Sequence, residues 1–367
     1  YTSGSTGVPK GAMIEDRGLV NHLQSKIDDL GLTGADVVAQ TAPQSFVIAL
    51  WQFLAPLMVG ARVHICAEPV VRDPLLLMQE TSRRRITILE LVPSLLREIL
   101  RPAPSPIARE ALGGLRTLIS TGEALAPDLC RDWFLQIPDV PLLNAYGATE
   151  CSDDVATYRL TAPSQAATVP IGRPIRNTSL YVLDRHLQPV PIGIVGELHV
   201  GGAPVGRGYL NDEEQTRSRF PKDTVSGSRH GRLYRTGDLA RWRADGTLEC
   251  LGRVDHQVKI RGSRIELEEI EHILMAHDRL QAACVLTRDD ALGGAELIAC
   301  VVAAGEEQPP SSIELRDFLR SRLPAHMVPA ACIIVDQLPL THHGKVDRAE
   351  LAALAVHAAP QESDHAP

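Results

Sequence analysis

Between residues 37 and 135 the chain alternates between short runs suited to buried strands and longer runs suited to helices. Residues 37–41, 61–66, 86–92 and 115–121 are β-branched or apolar, with Gly or Pro nearby. Between and after them, 46–59, 74–84, 94–101 and 126–135 have helical patterning, and 17–30 precedes them with Leu19, Val20, Leu23 and Ile27 at helical spacing. Strands that alternate with helices are those of a parallel sheet whose crossovers cover its faces. The pattern predicts an α/β domain with a largely parallel sheet.

Beyond about residue 170 the texture changes. Residues 179–184, 195–201, 232–235, 239–243 and 247–252 are strand-like runs parted by Gly-rich turns, which predicts an antiparallel or barrel-like unit. From about 256 a third texture begins. QVKIRGSRIE has the form of a hairpin, 266–276 of an amphipathic helix, and 282–288 and 297–303 of strands joined by the turn DDALGG. Ser311 with Glu314 is a capping box for a helix that stops at Pro324. The expected organisation is a large α/β and β-barrel-like core over 1–254, a small α+β domain over 255–355, and an Ala/Pro/polar linker over 356–367.

Composition narrows the function classes. A chain of 367 residues allows two or three domains. The net charge of −8 speaks against a nucleic-acid partner, which calls for a basic face. The seven cysteines are scattered and never spaced as CxxC, which excludes a disulfide scaffold or an evident zinc site and suits a reducing cytoplasm. The most apolar stretch, 46–61, is interrupted by Gln52 and Pro56 and falls short of the ~20 residues that span a bilayer. With no signal sequence or lipidation motif, the expected location is cytoplasmic, with no membrane partner.

Five segments carry chemistry. TSGSTGVPKG, Thr2 to Gly11, is a loop of glycines and hydroxyls with Lys10 near its end, suited to wrapping phosphates, though it does not fit GxxxxGK[ST]. NAYGATE, Asn144 to Glu150, offers an aromatic, a hydroxyl and a carboxylate, which could stack a base, touch a phosphate and hold a divalent metal. YRTGD ends in Asp238, a carboxylate able to accept both hydroxyls of a ribose. GRVDHQVKIRG, Gly252 to Gly262, sets several charges on a hairpin, and PLTHHGKVDR places Lys345 after a Gly in a loop. Each alone also reads as a plain turn or a solvated edge.

In this order, with GELHVGGAPVGRGYLNDEEQT from Gly196 to Thr216 as a sixth, the segments resemble the core motifs of adenylate-forming enzymes, specifically adenylation domains of nonribosomal peptide synthetases. The resemblance runs to about residue 352. It implies ATP-dependent activation of a carboxylic acid as an acyl-adenylate, then transfer to the phosphopantetheine thiol of a carrier protein. The implied partners are that carrier domain and neighbouring synthetase domains. Thr2, Ser3, Ser5, Thr6 and Lys10 would cradle the β- and γ-phosphates, Tyr146 would stack on adenine, Thr149 would touch phosphate, and Glu150 would hold Mg²⁺. Asp238 would accept the ribose hydroxyls, with Arg253 near the same sugar. Lys345 would bridge the substrate carboxylate and the nucleotide in the transition state, and Asp255 would be the hinge between half-reactions.

The departures bear on substrate. Ala148 stands where Pro is more usual, Glu268 where Gly is, and Asp16 where His is. In SFVIALWQF, Val47 replaces the family's Asp that pairs with the α-ammonium of an amino acid. The remaining pocket positions, mapped by motif, are Ile48, Trp51, Glu90, Ile119, Thr121, Ala145, Asp153 and Asp154. Three carboxylates there point to a basic or ω-amino acid, and apart from Val47 the set resembles pockets for 2,4-diaminobutyrate. The other reading is that Asp153 and Asp154 cap a helix and never face a ligand. Rival readings of the whole are an acyl- or aryl-CoA ligase, which Val47 favours, and a non-catalytic truncated remnant. Because the chain begins inside the YTSGSTG loop, its first subdomain is expected to be incomplete and the chain alone poorly soluble or inactive.

Overall fold

The computed structural model describes residues 1–2, 9–101, 106–164, 166–227, 231–255, 257–289, 295–305, 309–340 and 346–358. They fall into two compact units, Tyr1–Thr2 with Lys10–Asp255, and Pro9 with the residues after Asp255. No helix among them is long and apolar enough to cross a membrane.

The first unit opens with α1 (Asp16–Leu30), β1 (Val37–Gln40), α2 (Ile48–Met58), β2 (Arg62–Ile65), α3 (Glu68–Arg72) and α4 (Pro74–Arg84). It continues with β3 (Ile88–Leu91), α5 (Pro93–Ile99), α6 (Pro106–Leu112), β4 (Thr117–Ser120), α7 (Pro127–Gln136), β5 (Leu142–Ala148), β6 (Asp153–Leu160) and β7 (Arg173–Pro174). Among the described residues the strands form one sheet in the order β2-β1-β3-β4-β5-β6-β7. The first five are parallel, and β6 and β7 add antiparallel. The expected helices and strands over 17–135 are present within a few residues, but Val20 faces solvent rather than the sheet.

Strand alternation divides the core. Leu89, Leu118 and Leu142 pack on one face with Leu77, Leu96, Leu129 and Trp133. Ile88, Ile119, Leu143 and Ala145 pack on the other, against Leu23 of α1 and Trp51 and Ala55 of α2. Glu90 and Thr121 lie two residues beyond Ile88 and Ile119, so the same pleat turns them toward α1 and α2. α1 is stopped there by Gly31, whose φ of 55° closes the helix through bonds from its N–H to the carbonyls of Asp28 and Ile27.

The unit's second sheet holds β8 (Thr178–Leu183), β9 (Gly196–Gly202), β10 (Tyr234–Trp242) and β11 (Leu248–Arg253), all antiparallel, in the order β11-β10-β9-β8, with α8 (Glu213–Arg219) between β9 and β10 in the chain. Among the described residues the antiparallel or barrel-like unit expected from the sequence is this antiparallel sheet, with Leu248 of β11 bridged in addition to Gly172. The two strands expected at 232–235 and 239–243 are one strand, β10, whose pairing with β9 slips between Arg235 and Leu239. Gly237 allows that slip with a φ of 81°.

The second unit has β12 (Val258–Ile260) and β13 (Ser263–Ile265) as a hairpin, then α9 (Leu267–Leu274), β14 (Leu280–Asp289), β15 (Ala295–Ala303), α10 (Ser312–Arg320), β16 (Ala331–Ile334) and α11 (Arg348–Ala358). β14 and β15 pair antiparallel, β15 and β16 parallel. Ser311 caps α10 by accepting from the Glu314 N–H at 3.2 Å. α11 runs to Ala358, into the expected linker, whose remaining residues 359–367 lie outside the described residues.

Trp133 is fully buried and donates from Nε1 to the Val140 carbonyl at 2.9 Å. Trp133→Ala is expected to cost about 3–5 kcal/mol in chemical denaturation, through both the cavity and the orphaned carbonyl.

Candidate active site

Three motifs distant in sequence meet in the first unit. Tyr146 near the end of β5 donates its hydroxyl to Asp238 of β10. Arg253, the last residue of β11, donates to Asp238 Oδ1 and to Asp255 Oδ1, each at 2.6 Å, and to the Thr236 carbonyl at 3.1 Å. Arg219 reaches the other Asp255 oxygen at 3.2 Å. Burial opposes charge on Asp255, but Arg253 and Arg219 more than offset it and hold the carboxyl below its usual range. Burial, then the Asp238 charge, pushes the Tyr146 phenol well up, so it remains a donor at neutral pH. A Cβ on Gly237 would stand 2.6 Å from the Arg253 guanidinium, which is why this corner admits only glycine without rearrangement.

Glu150 lies in a single 3₁₀ turn, Thr149–Cys151, directly after β5, and is buried. Tyr209 donates its hydroxyl to Glu150 Oε1 at 2.8 Å. The ring of the same tyrosine has the Lys10 ammonium 5.2 Å from its centroid, and Lys10 donates to Gln215 at 3.3 Å. Lys10 is tied to Thr2 by two backbone hydrogen bonds of 2.9 and 2.8 Å, which close the stem of the glycine-rich loop. Oxygen donors from Glu150 and Thr149 suit a hard cation such as Mg²⁺. Ser3, Ser5, Thr6 and Lys345 lie outside the described residues.

The face of the parallel sheet under α1 and α2 carries a buried charge cluster. Glu90 Oε2 accepts from Trp51 Nε1 and from Gln52 Nε2, both at 2.9 Å. Lys26, on α1, stands 2.6 Å from Asp154 Oδ2 and 3.7 Å from Glu90 Oε1, with its ammonium 4.7 Å from the Trp51 ring centroid. His22, one turn earlier, places Nε2 3.7 Å from Asp154 and 3.8 Å from Asp153. Ile48, Ile119 and Ala145 join Trp51 in the surrounding apolar cluster, and Thr121 is buried at the end of β4. Val47 is half-buried at the start of α2.

Two sequence readings change here. Asp153 and Asp154 do not cap a helix: they begin β6, after a sharp corner in which Ser152 and Asp153 have φ of 61° and 98°. Gly147 makes room for that corner, since a Cβ there would lie 1.9 Å from the Asp153 carbonyl oxygen. The three carboxylates that pointed to a basic or ω-amino acid are not all open to a substrate cation, because Lys26 lies 2.6 Å from Asp154 and 3.7 Å from Glu90. Lys26, His22, Gln52 and Tyr209 are absent from the sequence-derived site. One signal was available for Lys26: it falls within the apolar stripe Leu19, Leu23, Ile27 and Leu30 of α1, where a lysine has to be buried or bent away.

Electrostatics follow from burial. Lys26 is only 2% exposed. Burial works against its charge, but Asp154, Glu90 and Asp153 raise its pKa above the ordinary lysine value. Burial likewise opposes charge on Asp154, and Lys26 more than compensates, holding that carboxylate ionised. Glu90 is pushed up to about 7 by burial, against the pull of Lys26. Burial lowers His22, so it is neutral near pH 7. His22, Asp153 and Asp154 offer ligand atoms within 4.8 Å of one another, but an added metal cation would have to share Asp154 with the Lys26 ammonium.

A carboxyl whose folded pKa is raised releases its proton at a cost to the fold, so its penalty is absent at low pH and grows as pH rises from the unfolded value of 4.5 to about 7. Glu90→Gln removes that penalty. The wild type is expected to lose stability relative to Glu90→Gln as pH rises through that window, read by urea denaturation at fixed pH values.

Comparison with known proteins identifies a family. The family model for the AMP-binding enzyme matches residues 1–210, and that for the AMP-binding enzyme C-terminal domain matches 269–345. Enterobactin synthase component F of Escherichia coli (strain K12) is 40% identical over 360 residues, covering 96% of this chain and 28% of that protein. Tyrocidine synthase 3 of Brevibacillus parabrevis is 39% identical over 368 residues, covering 98% of this chain and 6% of that protein. Among solved structures, holo-PA1221, an NRPS protein containing adenylation and PCP domains, superposes with a TM-score of 0.83 at 30% identity, covering 96% of this chain and 59% of that one. The Vibrio cholerae adenylation domain AlmE, in complex with glycyl-adenosine-5'-phosphate, gives 0.83 at 29% identity, covering 97% and 65%. The chain therefore spans a fraction of the curated relatives it matches, and it belongs to the AMP-binding enzyme family.

Proposed function

We propose that the chain is part of an adenylation domain of a nonribosomal peptide synthetase. It activates an amino acid or related carboxylic acid as an acyl-adenylate and passes it to the phosphopantetheine thiol of a carrier protein. The observation that carries this reading is the hydrogen-bonded group of Tyr146, Asp238 and Arg253, drawn from three separate strands, with Glu150 four residues along the chain from Tyr146. A ring, a carboxylate able to accept two hydroxyls, a guanidinium and a buried carboxylate are the groups a nucleotide and its divalent ion call for.

In the reaction the acid's carboxylate attacks the α-phosphorus of ATP and pyrophosphate leaves. Glu150 would hold Mg²⁺, which would supply charge neutralisation to the phosphates. Tyr209 orients Glu150 by donating to its Oε1. Lys10 and the hydroxyls of Thr2, Ser3, Ser5 and Thr6 hold the outer phosphates, and Thr149 touches the same chain. Lys345 bridges the acid and the nucleotide, reducing repulsion between two anions in a step that depends on positioning and charge more than on covalent help. Asp255 is the proposed hinge between half-reactions. The acid pocket is the α1–α2 face of the sheet, with Val47, Ile48, Trp51, Glu90, Ile119, Thr121, Ala145, Asp153 and Asp154 around it. A coenzyme A ligase remains a second reading on one observation: Val47 offers no carboxylate for an α-amine.

Acid-dependent ATP–pyrophosphate exchange by the full-length protein that contains this chain tests the reading. Lys345→Ala is expected to lower the rate by at least ~10²-fold, and absence of exchange in the wild type with every acid offered would sink the proposal. Loading of a carrier domain rather than free coenzyme A separates the two readings. Tyr209→Phe is expected to raise the Mg²⁺ concentration needed for half-maximal exchange by ~10-fold while leaving the affinity for the acid unchanged.

A further inference from the structure

Lys26 stands in a receptor for an alkylammonium. Two buried carboxylates, Asp154 at 2.6 Å and Glu90 at 3.7 Å, and the face of the Trp51 indole at 4.7 Å surround its ammonium. Carboxylates with an aromatic face are what bind a desolvated primary ammonium. The receptor is built with care on its protein side. Trp51 and Gln52, on consecutive positions of α2, both donate to Glu90 Oε2, which fixes that carboxylate and leaves Oε1 accepting no hydrogen bond among the described residues, with the Lys26 ammonium as its ion-pair partner. Asp154 is delivered from β6 by the strained corner at Ser152 and Asp153. The third carboxylate, Asp153, has His22 Nε2 3.8 Å from its Oδ2, and burial keeps that imidazole neutral.

We propose that Lys26 is a specificity-determining residue: its ammonium fills the alkylammonium receptor of Glu90, Asp154 and Trp51, so the enzyme selects acids whose side chain carries no charge and rejects diamino acids. This rests on the reading of the α1–α2 face as the acid pocket. A diamino acid would bring a second ammonium to a place that one already occupies, and its displacement of Lys26 would leave the lysine buried without its partners, at a cost no substrate contact here repays. Where the pocket lacks Lys26, a diamino acid supplies the missing cation itself.

The test uses the full-length protein. Acid-dependent ATP–pyrophosphate exchange is measured for serine, asparagine and β-alanine against 2,4-diaminobutyrate and ornithine, in the wild type, in Lys26→Met, and in Lys26→Met/Asp154→Asn. The double variant removes the closest ion pair as a unit, so it keeps the test readable if the single one fails to fold. The wild type is expected to use an uncharged acid, and both variants are expected to raise the ratio of kcat/KM for diamino over uncharged acids by about tenfold or more. A second arm melts Lys26→Ala with propylammonium or with propanol. Propylammonium alone is expected to raise its Tm, and to leave the wild type unmoved. A diamino acid as the best wild-type substrate overturns the proposal. So does an unchanged ratio in the folded variants, which would make Lys26 a structural counter-ion only, or a Lys26→Ala protein that propylammonium does not stabilise. If the wild type exchanges with no acid, the adenylation reading fails and the selectivity claim with it, while the melting arm still reports whether the receptor exists.

Discussion

A lysine ammonium inside a parallel sheet's helix layer is tolerable only if carboxylates follow it in. Lys26 is matched by Asp154 and Glu90, and each of the three comes from a different element: α1, β6 and β3. Removing Lys26 or Asp154, the closest pair at 2.6 Å, leaves an uncompensated buried charge, which is far more costly than never having had the pair. The cluster therefore fixes how α1 lies on the sheet and how the antiparallel β6 is added to the parallel strands. Trp51 and Gln52 extend the same constraint to α2 by holding Glu90 from the other side.

The second charged group of the unit obeys a different regime. Asp238, Arg253 and Asp255 are part-exposed, and their pairing lies at the end of a four-stranded sheet rather than beneath helices. Such pairs cost less to open, because water can replace a lost partner. Asp238 can thus exchange the Tyr146 hydroxyl for a ligand's hydroxyls at modest cost, whereas Glu90 and Asp154 are committed to Lys26. In the proposed function the first group takes and releases a nucleotide, and the second discriminates among small acids by what the protein has already placed there.

Much of the site was legible because its chemistry lies in contiguous motifs. Tyr146, Glu150 and Asp238 each sit in a short segment whose residue types suggest base, ribose or metal contacts, and Arg253 was placed near the sugar by the family resemblance. The structure brings Tyr146, Asp238 and Arg253 into one hydrogen-bonded group. Lys26 and His22 were not legible in that way. They belong to an amphipathic helix, and although Lys26 falls within its apolar stripe, only the sheet beneath decides whether such a side chain is enclosed or bent away. Tyr209 was passed over for a similar reason: within GRGYLN it reads as a core aromatic, which it is, with its hydroxyl delivered to Glu150 at the far end.

What the sequence by itself determined is the alternation of strand and helix to residue 135, the change to antiparallel strands and then to a small α+β module, and the family to which the motifs belong. These are local properties, set by periodicity, turn residues and contiguous motifs. What only the tertiary structure decided is the charge of the α1–α2 face. Strand alternation turns Glu90 toward that face, a corner made possible by Gly147 brings Asp154 beside it, and helix rotation turns Lys26 down onto both. Those residues are 64 or more positions apart along the chain. Their energies in a dry interior depend on ångström-scale separations, which no local pattern encodes.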